Sequence, residues 1–75
     1  MRTEEEVLND FEKLGYEVKE NTNIELVLGT KFFFIKFKKL SKVYHTYYED
    51  GKLSSTINMQ EHKLLTELFQ IWNWL

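Results

Sequence analysis

The spacing of the apolar residues changes twice along this chain, and a capping signal marks each change. Val7, Leu8, Phe11 and Leu14 recur at helical spacing. Ahead of them, Thr3 and Glu6 form a T-x-x-E capping box, and Glu4, Glu5 and Glu6 place negative charge at the positive end of the helix dipole. Gly15 follows the last apolar residue of the stripe, where a left-handed C-terminal cap is common, and Tyr16 is positioned to fold back on Phe11. The spacing predicts a helix over Glu4–Leu14.

Beyond Gly15 the period becomes two. Tyr16 and Val18 alternate with Glu17 and Lys19, and Asn21-Thr22-Asn23 is a turn cluster. Ile24, Leu26 and Leu28 form the next alternation, and Gly29-Thr30 reads as a Gly-X hairpin turn. Lys31–Lys38, with Phe on both faces, predicts a central strand. Val43–Tyr48 is β-branched and aromatic, Asp50-Gly51 is a hairpin signal, and Leu53–Ile57 predicts a short fifth strand. The helical period then returns. Asn58 and Glu61 repeat the cap logic, and Leu64, Leu65, Leu68, Phe69, Ile71, Trp72 and Leu75 make a wide apolar face with no Gly or Pro to end it. The order is α-β-β-β-β-(β)-α. Short connections predict an α+β fold, an antiparallel meander with both helices packed on one face.

Size limits what such a fold can hold. The 75 residues make one small domain, 1–75, too short for a doubly wound sheet with a cofactor crevice. With 43% apolar and 16% aromatic residues the chain has the material for a core, and stability of roughly 4–11 kcal/mol is expected. No Cys is present, so neither a disulfide nor a thiolate metal site stands in for core. The acidic start carries no apolar signal stretch, and no run approaches 18 apolar residues. These features point to a cytoplasmic protein without a membrane partner.

Motifs for chemistry are missing. His45 and His62 show no H-x-x-x-H or H-E-x-x-H spacing, and no G-x-S-x-G accompanies Ser41, Ser54 or Ser55. No glycine-rich phosphate loop occurs. The expectation is a protein with no enzyme activity, catalytic residues, cofactor or metal.

Charge is the most functional-looking feature. Residues 1–25 carry eight acids and three bases, residues 26–48 five lysines and no acid, and the remainder four acids and two bases. Seven of the twelve aromatics fall in the basic segment. Strand parity sets Phe33, Ile35 and Phe37 on one face and Phe32, Phe34, Lys36 and Lys38 on the other. The face with the lysines is expected to point away from the helices, beside either Tyr44 and Tyr48 or Tyr47. Phe32, Phe34, Lys36, Lys38, Tyr44, Tyr48 and Trp74 are thus the candidate interaction surface. Three readings compete for it. The first is a plain structural sheet with a solvated lysine fringe. The second is a protein-binding surface, a homodimer included. The third is single-stranded nucleic-acid binding, with Phe32, Phe34 and the tyrosines stacking on bases and Lys31, Lys36, Lys38 and Lys42 tracking phosphates. Thr30–Phe37 echoes part of the RNA-recognition signature. Lys31 and Phe33, however, occupy its small positions, Thr30 its leading basic one, and this chain opens with a helix rather than a strand.

Three segments together resemble small phage and prophage proteins of Gram-positive bacteria that carry no assigned activity. They are the acidic helix ending Lys13-Leu14-Gly15-Tyr16, the strand with Phe33, Ile35, Lys36, Phe37 and Lys38, and Ser55-Thr56-Ile57-Asn58-Met59-Gln60-Glu61 leading into the last helix. The ending departs from theirs, Trp72-Asn73-Trp74-Leu75 replacing Leu-Gly-Trp. The resemblance implies a genomic setting, with a host or phage protein as partner, and no catalytic residues.

Overall fold

A computed structural model describes residues 2–54 and 57–73. Helix α1 (Glu4–Lys13) leads into strands β1 (Glu17–Asn21), β2 (Glu25–Gly29), β3 (Phe33–Lys38), β4 (Val43–Tyr48) and β5 (Leu53–Ser54), and helix α2 (Met59–Ile71) follows. The strands form one antiparallel meander in the order β1-β2-β3-β4-β5. Both helices pack on one side of it, as the periodicity predicts.

The caps hold α1 in place at both ends. Thr3 accepts from the Glu6 amide while the Glu6 carboxylate accepts from the Thr3 amide. The Thr3 amide and the Thr3 hydroxyl, both donating to Glu6 Oε1, hold the Glu6 carboxyl below its ordinary range. At the other end Gly15 takes φ +99°, the Tyr16 amide donates to Phe11 O and the Gly15 amide to Glu12 O. This pair of bonds is a Schellman motif, and it turns the Tyr16 ring edge-on to Phe11 at 5.4 Å. Tyr16 therefore enters the core, and β1 begins one residue later than the alternation predicts.

Three boundaries differ from the sequence reading. Gly29 lies within β2, paired with Phe34, and the tight turn falls at Lys31-Phe32, closed by the Thr30 amide on Phe33 O. The hairpin thus needs no left-handed glycine, and β3 starts at Phe33. The helix α2 stops at Ile71 without Gly or Pro. Asn73 adopts φ 58° and its amide closes on Gln70 O, an Asn supplying the left-handed cap. Strand β5 is Leu53–Ser54. Ser55 and Thr56 of the predicted longer strand lie outside the described residues, and Ile57 packs on the core.

Register decides the faces, because directly paired residues of antiparallel strands project to the same side. Leu26 pairs with Phe37 and Leu28 with Ile35. These four residues are fully buried and meet Val7, Leu8 and Phe11 of α1 and Leu64, Leu65 and Leu68 of α2. Around Phe37 stand the rings of Tyr44, Phe69 and Trp72, at 5.7, 6.3 and 5.4 Å. Polar bonds then tie the helices to each other and to the sheet. Arg2 grips Glu67 with Nε and Nη2 at 3.0 and 2.6 Å and Asp10 with Nη1 at 2.5 Å. The Tyr16 hydroxyl donates to Glu61 Oε2 at 2.5 Å, and the Trp72 indole donates to Glu4 Oε1 at 2.7 Å. Lys39 sits over the Trp72 ring and donates to Asn21 Oδ1, so one lysine of the basic segment is committed to the fold.

Candidate interaction surface

The opposite side of the sheet follows from the same register. Three rows of side chains cross it. Glu17, Gly29, Phe34, Tyr47 and Leu53 form the first, Glu20, Val27, Lys36 and His45 the second, and Glu25, Lys38 and Val43 the third. No described element packs on these rows.

A close approach organises the first row. A Cβ built on Gly29 would lie 2.8 Å from Phe34 Cδ1 and 3.2 Å from Lys19 Cε. The Phe34 ring thus rests against Gly29, Cε1 also 2.9 Å from that Cβ position, as aromatic rings do at strand glycines. This half-buries Phe34. Its cross-strand partner Tyr47 carries Lys36 over its ring, Nζ 5.3 Å from the centroid, with His45 at 6.2 Å. Val27, between Glu20 and Lys36, is only 7% exposed, whereas Leu53 at the margin is 66% exposed. On β1, Lys19 pairs with Glu17 at 2.7 Å, which holds the Glu17 carboxyl below its ordinary range, and the register shifts between Val18 and Glu20.

Phe34, Lys36 and Lys38 of the candidate set therefore stand together on the outer face. Phe32 stands apart from them. It occupies the β2–β3 turn, 69% exposed, and lines a groove of about 380 Å³ on the helix side with Leu14, Tyr16, Phe33, Tyr48 and Glu61. Tyr44 and Tyr48 pair with Phe37 and Phe33 and so face the helices; the tyrosine beside Phe34 is Tyr47. The candidate set named Tyr44 and Tyr48; the registration of β4 on β3 corrects it, since the odd spacing from Phe34 brings Tyr47 to the outer face instead. Trp74 lies outside the described residues. Sequence reasoning did not single out Val27, Glu20, Glu25, His45 or Leu53. Val27 carried a signal, an apolar residue in the polar phase of an alternating strand.

His45 lies on the outer face and His62 on α2. Among the described residues no group of three His, Cys, Asp or Glu side chains can hold a metal ion, and no helix is long and apolar enough to cross a membrane. Comparison with protein-family models, curated proteins and solved structures finds no match.

Proposed function

We propose that this chain is a non-enzymatic interaction module that binds a protein, itself included, through the outer face of its sheet. One observation carries the reading. The strands bear Phe34, Val43, Tyr47 and Leu53 on a side that no described element covers, while the other side is filled by two helices. Large apolar residues gathered on an uncovered, polar-rimmed face mark contact surfaces. The resemblance to small phage and prophage proteins supports a phage or host protein as partner, in the cytoplasm. A photoreactive benzoylphenylalanine at Tyr47, introduced in cells that make the protein, tests it. Adducts are expected from position 47 and not from a control at Glu12 on the exposed side of α1. Absence of adducts at 47, or equal yields at both positions, overturns the reading.

A second reading rests on Phe34 standing beside Lys36 and Lys38, an arrangement suited to stacking a base and holding its phosphates. Glu17, Glu20 and Glu25 share that face and repel phosphate. Titration of labelled oligonucleotides at two salt concentrations tests it, with the Phe34→Ala, Lys36→Ala double variant as control. Salt-sensitive binding lost in the variant supports it. No binding at low salt removes it.

A further inference from the structure

The charges of the outer face are antisymmetric about a line between β2 and β3. On one side Glu17, Glu20 and Glu25 face a single lysine, Lys19; on the other stand Lys36 and Lys38 with no acid. The two halves carry about −2 and +2. Opposites also share rows, with Glu25 level with Lys38 and Glu20 level with His45 across the strands.

An isologous contact presents the same patch on both partners and must be self-complementary. Face-to-face packing requires the two-fold axis to lie in the plane of contact. An axis across the strands would set Glu20 on Glu20 and Lys36 on Lys36. An axis along the strands, above the line between β2 and β3, lays each half on its opposite and preserves the rows. We propose that the partner of this face is a second copy of the chain, docked about that axis. This inference rests on the interaction-module reading and gives its partner.

In that arrangement β3 of each copy stacks on β2 of the other, at the aligned angle that sheet twist imposes. Glu25 meets Lys38 of the second copy, Glu20 meets His45, and the two Phe34 rings come together beside the axis at one end of the contact. About this axis β1–β4 of the two copies overlap and the two-residue β5 has no counterpart; four strands about 4.8 Å apart and about 17 Å long give a footprint of about 330 Å² per copy. The sum over both copies, about 650 Å², lies below the roughly 1,000 Å² of a stable specific interface and suits a weak, transient contact. Association is therefore reversible and salt-sensitive.

Sedimentation equilibrium tests the proposal. The unmodified protein is expected to dimerise as concentration rises, and more tightly at low than at high salt. Strict monomers at every concentration, or association indifferent to salt, overturns it without any variant having to fold. Glu25→Lys and Lys38→Glu are each expected to weaken dimerisation by about tenfold or more, since like charges then meet twice. A one-to-one mixture of these two variants restores dimers, because both contacts again join opposite charges. The same exchange on the helices, Glu12→Lys mixed with Lys63→Glu, leaves dimerisation at the level of the unmodified protein. Undiminished dimers from either strand variant, or a mixture no tighter than its components, overturns the axis. Photocrosslinking separates the two levels. Monomers that still give adducts of another mass at position 47 refute self-pairing and leave the interaction module standing; monomers without adducts refute both.

Discussion

The same strands carry both faces of the sheet, and the faces differ in how their side chains are held. On the helix side Leu26, Leu28, Ile35 and Phe37 are fully enclosed, and Arg2, Tyr16 and Trp72 each donate a hydrogen bond to a carboxylate of another element. On the outer side Phe34 rests on a glycine, Tyr47 under a lysine, and the acids of β1 and β2 stand beside the lysines of β3. One face is a solved packing problem, and the other is ordered by neighbours within the sheet alone. Enclosure by helices sets stability, whereas cross-strand ordering sets the shape and charge of a surface.

Substitutions at equivalent places give the sharpest contrast. Phe37→Ala is expected to cost about 3–5 kcal/mol, enough to unfold much of a domain this small, in chemical denaturation. Phe34→Ala should cost about 1 kcal/mol by the same measurement, since one side of its ring already meets solvent. Equal losses would break the comparison.

Tyr16→Phe isolates one polar tie on the helix side. Losing a hydrogen bond to a carboxylate is expected to cost about 1.5–3 kcal/mol. Burial, reinforced by the bond to Glu61, raises the Tyr16 phenol above its ordinary value. A raised folded value makes the folded state hold the proton more tightly. Its stabilisation is complete below about pH 10 and lost as pH rises beyond that. The unmodified protein should therefore lose stability in alkali by a step that Tyr16→Phe lacks, read from thermal melts across pH.

Gly29→Ala probes the outer face. The new methyl must displace the Phe34 ring, and a loss of about 1 kcal/mol is expected together with greater exposure of Phe34. A hydrophobic dye and denaturation measured together check both parts. Unchanged dye binding would mean that the ring yields without leaving the face.

The smallest effect is at acid pH. Hydrogen bonding from Arg2 holds the Asp10 carboxyl below its ordinary range, as bonding with Thr3 does for Glu6. Lowered folded values give stability that is present above about pH 4 and lost as pH falls through them. Arg2→Ala should flatten this acid limb, whereas Lys36→Ala, on the outer face, should barely alter it.

Much of the helix side was legible in the residue order, because local rules act there. The T-x-x-E box, Gly15 before Tyr16, and Asn58 before Glu61 each specify a backbone geometry within a few residues. The outer face was legible only in part. Strand parity separated Phe34, Lys36 and Lys38 from Phe33 and Phe37, but β4 follows a connection in which Lys42 takes φ 57°, and no local rule counts residues across such a turn. The choice between Tyr47 and Tyr44 with Tyr48 depended on that count. Gly29 misled for a physical reason: it reads as a turn glycine, yet its missing side chain makes room for the ring of Phe34. The bond between Tyr16 and Glu61 joins residues 45 apart and had no local signature.

The clamp from Arg2 to Glu67 spans 65 positions and the one from Glu4 to Trp72 spans 68. At ribosomal speeds of about 5–20 residues per second, Glu67 is made roughly 3–13 s after Arg2. The meander can pair neighbour with neighbour as it emerges. During that interval Val7, Leu8 and Phe11 have no second helix to pack against. Helix α1 is thus made before the sheet yet secured after it, and a nascent chain stalled before residue 60 should present a sticky amphipathic helix to any chaperone at the exit tunnel.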